Sequence, residues 1–147
     1  MAEFVNANDQ IVQPGQNVVL EDAIKCPKGY VLHRNDSGIV ILRGITKNCF
    51  ARYTVTFNGN LSLPEGATLT PISVSLALDG EPLATSKAIV TPAAVGDFFN
   101  VTSTAIITVP KGCCFTVAVE NTSEVDGATP AQPITVANAN LSISRIA

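Results

Sequence analysis

Apolar and polar residues alternate with a period of two along much of this chain. Ile72, Val74, Leu76 and Leu78 alternate with Ser73, Ser75, Ala77 and Asp79, the pattern of a strand buried on one face. Ala51, Tyr53, Val55 and Phe57 alternate with Arg52, Thr54, Thr56 and Asn58 in the same way. Val101, Ser103, Ala105, Ile107 and Val109 form a third such face, and Phe115, Val117 and Val119 alternate with Thr116, Ala118 and Glu120. Near the end the parity changes: Ile134 and Val136 are even, Leu141 and Ile143 odd, so a bulge is expected between Ala137 and Asn140.

Turn residues punctuate these runs at Pro14-Gly15, Pro27-Lys28-Gly29, Asn35-Asp36-Ser37-Gly38, Asn58-Gly59-Asn60, Pro64-Glu65-Gly66, Asp79-Gly80, Pro110-Lys111-Gly112 and Asp126-Gly127. No apolar pattern of period 3.6 persists for three turns. The expectation is an all-β sandwich of about ten antiparallel strands, with a helical turn only near Thr91 to Asp97. The segment Asn121 to Pro133, holding Gly127, Pro130 and Pro133 and few large apolar residues, is expected to be a mobile loop at one end.

Composition adds to this picture. A length of 147 residues fits one domain, 1–147. Hydrophobic residues reach 46% and charged residues only 14%, against roughly 25% in ordinary soluble domains. The surface is therefore covered largely by Ser, Thr, Asn and small apolar groups, and part of it is expected to face partner subunits, because interface cores are depleted of Lys, Glu and Asp. A net charge of -3 without a Lys/Arg cluster gives no footprint for nucleic acid. The longest apolar stretches, such as Gly38 to Leu42 and Ala105 to Val109, are far short of the roughly 20 residues of a membrane helix, so no membrane insertion is expected. Met1-Ala2-Glu3-Phe4-Val5-Asn6 has neither a basic leader nor an apolar h-region, and the expectation is a product without a Sec signal that is made in the cytoplasm.

The candidate chemistry is sparse. Cys26, Cys49, Cys113 and Cys114 have no Cys-x-x-Cys spacing, and adjacent Cys113 and Cys114 point to opposite faces of a strand, so buried free thiols are expected rather than a zinc site or a disulfide set. His33, Asp36 and Ser37 sit together in sequence, but one turn does not assemble a catalytic triad around an oxyanion hole. Glu21-Asp22, Asp79 with Glu81, and Glu124 with Asp126 match no calcium loop. No catalytic residue, metal or cofactor is assigned. Asn-x-Ser/Thr triplets begin at Asn35, Asn60, Asn100, Asn121 and Asn140; without a leader they read as a by-product of composition, and Asn100 and Asn140 fall on packed strands. Tyr53, Phe57, Phe98, Phe99 and Phe115 read as core or subunit interface. With no Trp to stack on a sugar, glycan binding falls to the loops.

Four segments carry a resemblance. Phe50-Ala51-Arg52-Tyr53-Thr54-Val55-Thr56-Phe57, Ser75-Leu76-Ala77-Leu78-Asp79-Gly80-Glu81-Pro82-Leu83, Val109-Pro110-Lys111-Gly112-Cys113-Cys114-Phe115-Thr116-Val117 and Ala139-Asn140-Leu141-Ser142-Ile143 follow one another in an order that resembles the jelly roll of the tumour-necrosis-factor and complement globular-head superfamily. The bacterial version that caps collagen-like surface proteins is especially similar, although Cys113 stands where that family commonly has an aspartate. The resemblance implies a homotrimer. It also implies that the aromatic strand and the closing strand line the three-fold interface, which makes Tyr53, Val55, Phe57, Leu141 and Ile143 the candidate interface residues. A free-standing module of this kind is also similar in style to the small structural proteins that bacterial viruses place on their heads or tails, and the function these resemblances imply is a non-enzymatic structural module on a virion or cell surface: a phage head decoration or fibre tip, or a bacterial surface assembly bound to a capsid, tail or cell-surface protein. The alternative is a trimeric head that binds a glycan or receptor.

Overall fold

The computed structural model describes residues 2–25, 29–33 and 37–147. Among these residues the strands, numbered in chain order, form two sheets in which every ladder is antiparallel. The first runs β10 (Phe99–Pro110), β6 (Phe50–Ser62), β12 (Ile134–Arg145), β1 (Ala2–Asn6) and β3 (Asp22–Lys25), with β2 (Gln10–Val12) paired to the start of β12. The second runs β4 (Val31–His33), β5 (Val40–Arg43), β11 (Cys114–Asn121), β7 (Ile72–Leu78) and β8 (Glu81–Pro82), with β9 (Ala88–Val90) also on β7. The chain changes sheet from β3 to β4, β5 to β6, β6 to β7, β9 to β10, β10 to β11 and β11 to β12, so neither sheet is built from a single run of consecutive strands.

The alternations expected from sequence are the inward faces of these sheets. Phe4, Tyr53, Val55, Phe57, Leu61, Val109, Val136, Leu141 and Ile143 meet Val40, Leu42, Ile72, Val74, Leu76, Val117 and Val119 in one core. Burial of this kind contributes roughly 1.5–3 kcal/mol per large side chain. The Phe57 ring lies against Gly59, where a β-carbon would come within 2.8 Å of it. Glycine at 59 therefore makes room for the aromatic side chain two residues earlier on the same face. The bulge expected in the last strand lies between Ala137 and Asn140, and Asn138 takes a left-handed φ of 54° there, a conformation Asn tolerates better than most residues. Asp79 and Gly80, at φ 50° and 84°, form the two-residue turn joining β7 to β8, with both central residues in the left-handed region that such hairpins need.

Two local expectations are corrected. The short helical turn lies at Ala84–Ser86, not between Thr91 and Asp97. Ser86 explains the placement: its Oγ accepts the Leu76 backbone N–H at 3.0 Å and donates to the Leu83 carbonyl at 2.7 Å, which pins the turn to β7. In addition, β7 is buried on both faces. Ser73 and Ser75 share the Thr122 hydroxyl at 2.9 and 3.0 Å, so the polar side of the alternation is satisfied internally rather than by bulk water.

Candidate functional site

Tyr53, Val55, Phe57, Leu141 and Ile143 are all enclosed between the chain's own two sheets, with at most 1% of their surface exposed. They pack the monomer's core, so the reading of these side chains as a subunit contact is corrected. Their sequence neighbours, pointing the other way, form the outward face of the first sheet.

That face is organised in rows by strand register. Thr104, Thr56, Ser142 and Glu3 lie side by side across β10, β6, β12 and β1, and Thr102, Asn58, Asn140 and Val5 form the next row. Ile106, Thr54 and Ser144 form a third, with Thr108 and Arg52 beyond it on β10 and β6. Hydrogen bonds knit the rows together. Asn100 Nδ2 donates to Asn58 Oδ1 at 2.9 Å and to Asn60 Oδ1 at 3.2 Å, and Asn60 Nδ2 donates to Asn138 Oδ1 at 3.2 Å. Asn140 Nδ2 donates to Glu3 Oε1 at 2.5 Å, Ser142 Oγ donates to Asn140 Oδ1 at 3.0 Å, and the Thr56 and Thr104 hydroxyls meet at 3.3 Å. Glu3 and Arg52 are the only acidic or basic residues among the side chains named here, and Ile106 has 64% of its surface exposed. Asn60, Asn100 and Asn140, three of the sequon asparagines, belong to this lattice, and Asn100 is exposed rather than packed. Asn121 instead is buried, and its Nδ2 donates to the Val12 and Gln132 carbonyls. Asn35 lies outside the described residues.

The two ends of the sandwich differ. At one end the segment expected to be mobile is tied down. Besides the Asn121 bonds, Ser123 Oγ accepts the Ser73 N–H, and Asp126 and Thr129 exchange two backbone hydrogen bonds of 2.9 Å. A cavity of about 180 Å³ opens beside it, lined by Pro71, Ser73, Lys87, Ile89, Glu124, Val125 and Asp126 among others. Lys87 Nζ donates to Glu124 Oε1 at 2.7 Å, and this bond and the lysine's charge hold the Glu124 carboxyl below its ordinary value. At the opposite end lie Cys49, Cys113 and Cys114, all exposed. The expectation of buried thiols is corrected for these three: Cys113 sits in the turn between β10 and β11, where side chains point to solvent. Cys26 lies outside the described residues.

His33 turns its ring toward Phe4, with centroids 4.7 Å apart, and its Nε2 lies 3.0 Å from the Ser37 carbonyl oxygen. Asp36 lies outside the described residues, so the triad reading gains nothing. Of the aromatic set, Tyr53 and Phe57 are core, Phe99 and Phe115 are half-buried, and Phe98 is exposed. Among the described residues, no three His, Cys, Asp or Glu side chains come together as metal ligands.

No protein-family model and no curated protein matches this chain. The globular domain of zebrafish complement 1qA protein matches its structure over 99% of this chain and 97% of that one, with a TM-score of 0.57 at 14% identity. The chain has the complement-head, tumour-necrosis-factor-like jelly-roll fold. Weaker matches to this jelly roll are the sugar-binding EclA C-terminal domain, at 16% identity, a TM-score of 0.44 and coverage of 95% of this chain and 79% of that one, and the CBM22-1 xylan-binding domain of Paenibacillus barcinonensis Xyn10C, at 9%, 0.36 and 99% and 87%. The jelly-roll fold was legible from strand and turn order. The outward lattice was not singled out, although its signal is the other half of the alternation that located the core.

Proposed function

We propose that this jelly roll is a non-enzymatic interaction module that assembles as a homotrimer through the outward face of β10, β6, β12 and β1. The observation that carries this reading is the Thr/Asn/Ser lattice, already hydrogen-bonded within itself and nearly free of charge, with Ile106 exposed upon it. Covering such a face strands few donors and strips water from few ions, whereas a charged face pays a heavy desolvation penalty. The chain's edge strand β10 contributes Thr102, Thr104 and Ile106 to the face, so cover there also shields an open edge. A three-fold contact of this kind is heterologous and closes on itself, leaving both loop ends free for another partner. On this reading the trimer sits on a particle, a virion or a bacterial surface, a setting supported by the low charge of the whole chain.

Light scattering at micromolar and lower concentration is expected to report three times the 15.3 kDa chain mass. Ile106→Glu and Thr56→Lys, placed on adjoining rows, are expected to shift that mass toward the monomer while the strand signal in circular dichroism persists. A wild-type monomer across the range, or a trimer indifferent to both substitutions, rules the interface out.

A recognition role at the loop end is a second reading, favoured by the cavity in which Ser73, Lys87, Glu124 and Asp126 offer polar groups beside the apolar Ile89 and Val125. Glycan-array binding that disappears in Asp126→Asn is the expected result. An array that shows no binding by the wild-type trimer removes the glycan form of this reading.

A further inference from the structure

The two ends of the sandwich carry opposite charge. At one end the segments 44–49, 110–113 and 146–147 meet, through Gly44 N–H to Cys113 O at 2.8 Å, Lys111 N–H to Cys49 O at 2.9 Å and Ile146 N–H to Arg52 O at 2.9 Å. At the other end 63–70, 91–98 and 122–133 meet, through Gly96 N–H to Leu63 O at 3.1 Å and Thr68 N–H to Gln132 Oε1 at 3.2 Å. The first end presents Lys47 and Lys111, both exposed, beside Arg52, whose guanidinium carbon lies 4.7 Å from the Phe50 ring centroid. Arg43 and Arg145 are there too but engaged, Arg43 by the Gly29 carbonyl and Arg145 by the Tyr30 ring and the Ala147 carbonyl. The acids on that side, Asp79 and Glu81, sit at the β8 edge of the second sheet, and the Asp79 carboxylate already accepts the N–H and hydroxyl of Thr116. The second end presents Glu65, Asp97, Glu124 and Asp126, all exposed, and its one cation among the described residues, Lys87, is taken by Glu124.

Each end is also apolar. Ile45, Phe50 and Ile146 stand exposed at the basic end, and Leu69, Val95, Phe98 and Val125 at the acidic one. Apart from Ile11, Leu32 and Ile106, every large apolar side chain exposed among the described residues lies at one end or the other. Apolar residues set among charges of one sign suit a partner that carries the other sign, and this chain supplies such a surface itself. We propose that copies of this chain stack head to tail, the acidic end of one on the basic end of the next. The contact is heterologous, and because its two halves lie at opposite poles it does not close on itself but builds an open fibre. The 13 residues of β6 set the poles about 40 Å apart, several screening lengths at physiological salt, so the two charges do not cancel within one copy. Stacking of this kind leaves the lattice face untouched, and it gives the cavity-bearing end a protein partner whether or not a glycan binds there.

The test is sedimentation velocity of the full chain at high protein concentration, with a reductant present so that the exposed thiols play no part, in about 20 mM and about 500 mM NaCl, between which the screening length shrinks several-fold. At the lower salt the weight-average mass is expected to more than double and to rise with protein concentration. At the higher salt it is expected to return to that of the trimer, or to that of the monomer if the lattice face does not assemble, so that failure of the fibre and failure of the trimer read differently. Lys47→Glu with Lys111→Glu reverses the exposed charge of the basic end, and Glu65→Lys with Asp97→Lys and Asp126→Lys reverses that of the acidic end. Each variant then has two ends of like sign and is expected not to stack alone, whereas a mixture of the two is expected to stack by alternation. A wild-type mass that is the same at both salts overturns the proposal without recourse to any variant. A larger species that persists at the higher salt is apolar aggregation and overturns it too. So do variants that each stack as the wild type does, and a mixture that stays dispersed while circular dichroism shows both variants folded.

Discussion

The Tyr53 hydroxyl, carried on β6 of one sheet, donates a 2.6 Å hydrogen bond to the carbonyl oxygen of Arg43 at the end of β5 in the other. The ring fills the core while its polar tip satisfies a backbone acceptor at the rim, so one side chain both packs and fastens the sandwich. Burial pushes the Tyr53 phenol above its ordinary value, against the opposing charge and hydrogen bond of Arg145. Tyr53→Phe retains the ring and removes the bond, at a net cost of about 1 kcal/mol. The midpoint of thermal unfolding is expected to fall by about 2 to 4 °C; an unchanged midpoint means that the bond contributes nothing.

Gly44 is required by its surroundings. A β-carbon there would stand 2.1 Å from the Pro110 carbonyl oxygen, and the residue is held in place by Gly44 N–H to Cys113 O at 2.8 Å and Gly112 N–H to Gly44 O at 3.0 Å. Because the obstacle is backbone, it cannot swing aside. Gly44→Ala is expected to cost about 1 to 3 kcal/mol in urea unfolding. Gly29→Ala, which meets nothing within 4 Å, is the control and is expected to stay within about 0.5 kcal/mol of the wild type.

Glu120 and Glu124 work in opposite directions with pH. Burial, with the nearby Glu81 charge, raises the Glu120 carboxyl above 4.5. The folded state therefore holds this proton more tightly than the unfolded one, and stability falls as pH rises from 4.5 through the raised value. Glu124, lowered by Lys87, gives stability that is present above 4.5 and is lost as pH falls through its folded value. Glu120→Gln is expected to raise the unfolding midpoint at pH 7 and to have a smaller effect at pH 4. Equal gains at both pH values would show that the charge is not the cause.

The buried Asn121 amide ties the 122–133 segment to β2. Its Nδ2 meets the Val12 carbonyl at 2.9 Å and the Gln132 carbonyl at 3.2 Å, and its Oδ1 accepts the Ser123 N–H at 3.0 Å. Asn121→Ala leaves these groups without partners, at a cost of about 2 to 3 kcal/mol. Limited proteolysis is expected to cut the variant within 122–133 well before the wild type. Equal cutting rates would show that the segment holds itself.

Cys49, Cys113 and Cys114 are exposed, so the folded protein is expected to release at least three equivalents of chromophore with Ellman's reagent in the absence of denaturant. Reaction only after unfolding contradicts their placement. Iodoacetamide at these three sites is expected to leave the fold intact, which far-UV circular dichroism checks.

The sequence by itself determined the strands and the parity of their faces. With a period of two, Tyr53, Val55 and Phe57 must share one side and Thr54 and Thr56 the other, and turn pairs such as Asp79-Gly80 fix where strands reverse. It even located the bulge near Asn138, since a change of parity has no other remedy in a continuous strand. It did not determine what covers each side. Only the pairing of β6 with β10 and β12 decides that Thr56 lies between Thr104 and Ser142. Local pattern is silent, too, on the exposure of Cys113, in the turn before β11, and of Cys114, at the first position of that strand, which follows from where the chain crosses from one sheet to the other. The stacking of the Arg145 guanidinium on the Tyr30 ring, its carbon 4.3 Å from the ring centroid, had no signal at all. Its two groups lie on chain segments far apart in sequence, and they meet because antiparallel pairing brings the end of β12 beside the start of β1 while the second sheet folds over both. Periodicity is a property of neighbours along the chain, and a stacked pair is a property of neighbours in space.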